Sequence, residues 1–180
     1  MAQTATMFNI TVELSDVDRG VYETFELKMA QHPSESAEYM VARLLAYCLE
    51  YTEGIELTQG VSAGDEPAVL VRDLTGRITS WIEVGLPDAD RLHRASKLAE
   101  HVAVYTHRDP RQLLALLDGK KVHRREELAL YVLDRRFVGE LAERLGRRAR
   151  LTLSVTEQHL YADLDGYTLE SVLEKLVLPS

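Results

Sequence analysis

Asp65 and Glu83 are the two side chains of this sequence whose type and setting could do chemistry. Asp65 stands at the mouth of a short apolar run, Ala68-Val69-Leu70-Val71, and Glu83 lies inside a second run, among Trp81, Ile82 and Val84. A carboxylate in such surroundings is costly to bury unless it is paired, protonated or bound to a metal. Two carboxylates brought to one sheet edge repel each other, and a divalent cation is a natural counter-charge. The alternative is that each acid simply points into water at a strand end.

The elements that must position these acids can be read around them. Asp73-Leu74-Thr75-Gly76 has turn chemistry, so residues 65–85 read as two strands, the second from Ile78 to Val84, joined by a tight turn. Ahead of them, His32-Pro33-Ser34 is a helix start signal with Ser34 as N-cap. Ala37, Met40, Val41, Leu44, Leu45 and Cys48 recur at helical spacing as a buried face, and Gly54 ends the helix. At about 100° per residue, Glu38 lies roughly 90° from the centre of that face, within reach of a neighbouring sheet edge, and Glu35 about 150° away, towards solvent. Ile55 to Val61 reads as a strand, Asp88 to Leu98 as an amphipathic helix with Arg91, Arg94 and Lys97 as basic positions, and His101 to Thr106 as a strand. Strand, helix, strand with short links is a crossover unit, so residues 78–106 are expected to make a parallel pair. Residues 34–106 therefore run helix, strand, strand, strand, helix, strand.

The remainder reads as scaffold. Phe8, Ile10, Val12 and Leu14, then Val21, Phe25, Leu27 and Met29, alternate as a hairpin with one buried face. Gln112 to Leu117 is a short helix, Leu128 to Leu133 a strand, and Asp134 caps a helix that runs to about Leu145. Leu151, Leu153 and Val155 alternate, as do Leu160, Ala162 and Leu164, and Asp165-Gly166 is a hairpin turn signal. Spacing in the tail fits a helix, while the preceding turn favours a strand. Lys120-Lys121-Val122-His123-Arg124-Arg125 is a basic run, either an exposed loop or part of a phosphate-contacting surface.

The 180 residues suit one domain with a real core, and the 46% hydrophobic and 28% charged fractions are those of an ordinary globular protein. Cys48 is the only cysteine, so no internal disulfide can form, which suits a reducing cytosol. No leader-like n-region and h-region opens the chain, and no apolar run reaches membrane-spanning length; a cytoplasmic, non-membrane protein is the expectation. The net charge of −8 is unevenly spread. Residues 1–88 carry a net of −10, residues 89–150 a net of +6 and residues 151–180 a net of −4. The basic region from Arg91 to Arg150 could meet nucleic acid, or it could be a set of solvated faces. His93, His101 and His107 match no common zinc spacing, and there is no Walker-type or dinucleotide glycine loop and no G-x-S-x-G elbow.

The element order of residues 34–106, with an acid before its second strand and another in its third, resembles the restriction-endonuclease fold, the PD-(D/E)XK superfamily. Four segments in this order, His32-Pro33-Ser34-Glu35, Asp65-Glu66-Pro67, Trp81 to Asp88 and Tyr131-Val132-Leu133-Asp134, resemble the bacterial YaeQ family over nearly the full length. That family is regarded as a variation on the same fold with no settled activity. The resemblance implies Asp65 and Glu83 as metal-binding acids, the Val84 carbonyl as a third ligand and Mg²⁺ or Mn²⁺ as cofactor; Glu38, from its place on the helix, is a further candidate metal-binding acid. The resemblance also tips the tail to a strand. The superfamily's lysine, two residues after the second acid, is Gly85 here. Lys97 or Arg94 could supply it from the following helix, though a guanidinium is a poor base. The expectation is a single mixed α/β domain over residues 1–180, with a restriction-endonuclease-like core (αβββαβ) and an added antiparallel layer from the two chain ends. The implied activity is that of a divalent-metal-dependent nuclease, with Asp65, Glu83 and Lys97 in the catalytic roles. The alternative is a catalytically inactive binding or regulatory module with a protein partner, and whether the chain is an enzyme stays open at this point.

Overall fold

The computed structural model describes residues 4–59 and 65–179. In chain order the elements are β1 (Thr6–Asp16), β2 (Val21–Gln31), α1 (Ala37–Leu49), β3 (Ile55–Leu57), β4 (Val69–Arg72), β5 (Ile78–Val84), α2 (Ala89–Leu98) and β6 (His101–Thr106). They continue as α3 (Pro110–Leu117), β7 (Ala129–Val132), α4 (Arg135–Arg144), β8 (Arg148–Thr156), β9 (His159–Leu164), β10 (Tyr167–Val172) and β11 (Glu174–Leu176). Among the described residues no helix is long and apolar enough to cross a membrane. The chain divides into two compact units. One takes the described residues up to Val41 and Asp134–Leu173; the other takes Ala42–Leu133 and the residues from Glu174 on.

The first unit holds the sheet β10-β9-β8-β1-β2. The expected N-terminal hairpin is present, in register from Thr6↔Gln31 to Asp16↔Val21. Alternation puts Phe8, Ile10, Val12 and Leu14 on one buried face with Leu151, Leu153, Leu160 and Leu164. The two chain ends do supply this layer, but it is mixed rather than antiparallel, because β1 and β8 run parallel from Asn9↔Arg148 to Asp16↔Val155. Period-two alternation fixes which face a residue takes and not the direction of the strand; only a hairpin link demands antiparallel neighbours. The tail is indeed extended, as β10 and then β11.

The second unit holds the sheet β11-β7-β6-β5-β4-β3. β3, β4 and β5 are antiparallel neighbours, and β5, β6 and β7 are parallel. The crossover read from the sequence is there, with Ser80↔His101 through Val84↔Tyr105 in register. α2 and α3 bury Leu92, Ala95, Leu113 and Leu117 against Trp81, Val102, Val104 and Leu130 on one sheet face. The β4–β5 turn forms as its residues require: the Asp73 carboxylate accepts from the backbone N–H groups of Thr75 and Arg77 and from the Thr75 hydroxyl.

Several local expectations are corrected. α1 begins at Ala37, and its cap is Ser36, whose hydroxyl accepts from the Tyr39 N–H at 3.0 Å; Ser34 bonds the His32 ring instead. Glu35 is therefore outside the helix, and helical angles do not apply to it. It is buried, while Glu38 is exposed, the reverse of the expectation. Every residue from Met40 to Leu49 is buried, so α1 has no solvent stripe beyond its first turn. Gly54 lies five residues beyond the helix end and serves β3: its φ is +88°, and a Cβ there would meet the Arg72 carbonyl oxygen at 2.1 Å. β3 ends at Leu57, and the last residues of the strand expected over 55–61 lie outside the described residues.

Candidate ligand site around Glu83

The site is built on β5. Trp81 and Glu83 stand two residues apart on this strand and share the face that α2 covers. After Val84 the chain leaves the sheet at Gly85, whose N–H donates to the Tyr105 carbonyl at 3.0 Å and whose φ is +97°. That backbone region strains any residue with a Cβ, so glycine suits this position. Asp88 then starts α2 by accepting from the Arg91 N–H at 2.8 Å.

This cap aims the first turn of α2 back over β5. Glu83 is only 5% exposed. Its Oε1 accepts from the Trp81 indole N–H at 2.7 Å, and its Oε2 accepts from the Arg91 Nε–H, also at 2.7 Å. Arg91 goes on to donate from Nη2 to the Glu66 carbonyl at 2.5 Å. One guanidinium thus ties together β5, α2 and the segment that carries Asp65. Opening beside it is a cavity of about 300 Å³ lined by Asp65, Trp81, Arg91, Arg94 and Leu98. Trp81 and Leu98 give it apolar walls; Arg94 and Asp65, both exposed, give it one charge of each sign.

Asp65 and Glu83 are brought to the same cavity, the first on its lining and the second through both of its partners. Arg94, named from the sequence as a possible stand-in for the lysine, lines it too, whereas Lys97, Glu38 and Val84 do not. Lys97 is exposed in the last turn of α2, about 100° round the helix from Leu98, and does not line the cavity. Glu38 belongs to the first unit, whereas Asp65 and Glu83 belong to the second. Val84 continues the parallel ladder opposite Tyr105.

The implied metal does not suit this donor set. A hard cation needs oxygen lone pairs turned to one common point. Glu83 turns both oxygens to N–H donors instead, and among the described residues no three His, Cys, Asp or Glu side chains are gathered. The arrangement fits a guanidinium as the counter-charge of Glu83 and does not fit a divalent ion.

Arg91 stood out in the sequence only as a basic helix position, yet it carried a signal. A cation in the first turn of a helix sits at the wrong end of the helix dipole, so it needs an external partner. The basic run was also misleading in part. Arg124 donates to the Ser96 and Ala99 carbonyls, and Arg125 donates to the Leu117 carbonyl, so both close the last turns of α2 and α3. Lys120, Lys121 and His123 remain exposed.

A second carboxylate cluster escaped the sequence. Glu50, just past α1, accepts from the Tyr105 hydroxyl at 2.5 Å and pairs with His101 Nε2 at 2.7 Å. The hydrogen bond to Glu50 raises the His101 pKa above its ordinary value. The Tyr105 ring stacks on Tyr131, with centroids 4.9 Å apart, and Lys175 lies over Tyr131. The clue was the spacing of His101 and Tyr105, which puts them on one face of a strand.

Comparison with known proteins places the whole chain. The family described as YaeQ protein matches residues 1–173. The uncharacterised protein YaeQ of Escherichia coli (strain K12) is 31% identical over 181 residues, covering 100% of both chains, and that of Salmonella typhi is equally similar. The crystal structure of YaeQ protein from Pseudomonas syringae superposes with a TM-score of 0.87 at 31% identity, covering 98% of each chain. That from Xanthomonas axonopodis pv. citri gives a TM-score of 0.87 at 29% identity, covering 98% of this chain and 100% of the other.

Proposed function

This chain belongs to the YaeQ family, and on that premise we propose that it is a binding module on a variation of the restriction-endonuclease-like fold, one that takes a small anionic ligand in the cavity beside Trp81. The order α1-β3-β4-β5-α2-β6, with β5 and β6 parallel, supports the fold reading. The observation that carries the functional reading is the saturation of Glu83 by Trp81 and Arg91. It commits each oxygen of the buried acid to a resident donor of this chain. Arg94 makes no ion pair among the described residues, so it is the charge on offer to a phosphate or carboxylate.

Trp81 is the only tryptophan of the chain, so its emission reports on this cavity alone. Tripolyphosphate, a compact polyanion, is expected to shift that emission saturably. Arg94→Ala should weaken the effect about tenfold, the scale of one charge-assisted contact, while Lys97→Ala should leave it alone. An unchanged emission at millimolar tripolyphosphate would remove this reading.

The metal-dependent nuclease is the second reading, favoured by the convergence of Asp65 and Glu83 on one cavity. Calorimetric titration with Mn²⁺ decides between them. Saturable heat that disappears in Glu83→Gln would restore the nuclease; the binding-module reading expects none.

A further inference from the structure

We propose that β2 is an interaction edge at which two copies of this chain join their five-stranded sheets, each β2 pairing antiparallel with the other about a twofold axis. This surface is separate from the Trp81 cavity and does not depend on what that cavity binds. Among the described residues the two sheets end in four edge strands, and three are short: β10 has 6 residues, and β3 and β11 have 3 each. β2 has 11 and keeps an unbroken register with β1, with no proline and no bulge along it. Short length, proline and bulges are the devices that ordinarily keep an edge from pairing, and β2 has none of them. The backbone of β1 fixes which residues of β2 are on offer. Asn9 and Val17 donate their N–H groups to the Arg147 and Val155 carbonyls, so odd-numbered residues of β1 turn to β8 and even-numbered ones to β2. Opposite the even-numbered residues stand Glu23, Phe25, Leu27 and Met29. Tyr22, Thr24, Glu26, Lys28 and Ala30 therefore turn their N–H and C=O groups outward. Among the described residues no backbone bond to another segment meets these five, and the first four are exposed.

Charge then selects the partner and the register. A lysine on an edge ordinarily discourages pairing, but Lys28 has its complement, Glu26, two residues away on the same face. Within the chain Glu26 faces Thr11 and Lys28 faces Asn9, so neither meets an opposite charge across the ladder with β1. A twofold axis sets one residue of β2 opposite itself. Centred on Glu26 it would bring two carboxylates together, and centred on Lys28 two ammonium groups. Centred on Phe25 it would set Glu23 against Leu27, a charge against the apolar face. Centred on Leu27 it sets Glu26 of each copy opposite Lys28 of the other, so the opposite-charge pair forms twice. Thr24 then faces Ala30, and the outward backbone groups of Thr24, Glu26, Lys28 and Ala30 answer one another. On the other side of the sheet Leu27 meets Leu27 and Phe25 meets Met29, in line with the buried face that Leu27 and Met29 already share. The strand is complementary to itself in this register, which is what a twofold contact requires.

Sedimentation equilibrium of the full chain, from about 1 to about 500 µM, tests the pairing over the range expected of a small contact. The average mass should climb from 20.4 kDa towards twice that value. Glu26→Lys alone, or Lys28→Glu alone, sets like charges opposite each other at two places and should weaken association about tenfold. Glu26→Lys combined with Lys28→Glu re-creates both opposite-charge pairs and should restore it. Thr24→Pro removes an outward N–H and spares the ladder to β1, so it too should weaken association. Circular dichroism of each variant separates a loss of association from a loss of fold, and recovery in the double charge swap cannot come from a misfolded chain. A mass that stays at 20.4 kDa over the whole range would overturn the second copy as the occupant of this edge. A dimer that neither single charge reversal moves would place the contact elsewhere and overturn the proposal as well.

Discussion

Two glutamates of the second unit have solved the same problem with different partners. Glu83 and Glu50 each place both carboxylate oxygens against side-chain donors, Glu83 against Trp81 of β5 and Arg91 of α2 on the face covered by α2, and Glu50 against His101 and Tyr105 of β6 on the opposite face. Glu83 is answered by a guanidinium, which keeps its charge at every accessible pH, and Glu50 by an imidazole, which does not. The first pair is a permanent fixture that joins strand, helix and loop. The second is conditional, and its strength follows pH. A buried acid in an apolar strand therefore says that a counter-charge exists, and only its partner says whether that acid has chemistry left to offer.

The contrast between the two pairs predicts an ordered set of effects. Arg91→Ala should be the most damaging change. It strands Glu83 at 5% exposure without its ion, at a cost of about 3 kcal/mol in urea unfolding. Combining it with Glu83→Leu should recover most of that loss, because it is the uncompensated charge that destabilises; a double variant as unstable as the single one would contradict the pairing. Gly85→Ala comes next, at about 1 kcal/mol in the same measurement, from a side chain forced to φ +97°. Smaller still is the pH-dependent part at Glu50. The His101 pKa is raised above 6.5 in the fold, so the pair's contribution is fully present below that value and is lost as pH rises through the raised one. The stability difference between the parent and Glu50→Gln should shrink as pH rises from 6.5 through the raised His101 value, whereas the Arg91→Ala difference should stay flat over that range. Lys97→Ala, an exposed site touching neither pair, should change stability by less than about 0.5 kcal/mol.

Much of the second unit was legible in the sequence. The turn at Asp73, the second strand at Ile78–Val84, the amphipathic helix that follows Pro87 and the crossover to His101–Thr106 all follow from local signals, and all form. The suspicion that Glu83 needed a counter-charge was also sound. What was not legible was its identity. Arg91 is eight residues away and across a Gly-Leu-Pro turn, and only the positive φ of Gly85 and the Asp88 cap aim it back at β5. Glu35 and Glu38 exchanged places for a similar reason. A helix start misplaced by two residues moved Glu35 onto a wheel it never joins. The direction of β1 against β8 lay beyond any local pattern, since alternation looks the same in parallel and antiparallel neighbours.

The claim that Arg91 is the resident counter-charge of Glu83 can be tested on the guanidinium itself. In ¹⁵N-labelled protein the Arg91 Nε–H, assigned by its loss in Arg91→Lys, should give a sharp, exchange-protected resonance, because that proton is held by a buried carboxylate. Titration with Mg²⁺ to millimolar levels should leave it where it is. If the resonance instead moves or is lost saturably as Mg²⁺ is added, the cation is displacing the guanidinium from Glu83, and the acid belongs to a metal site after all.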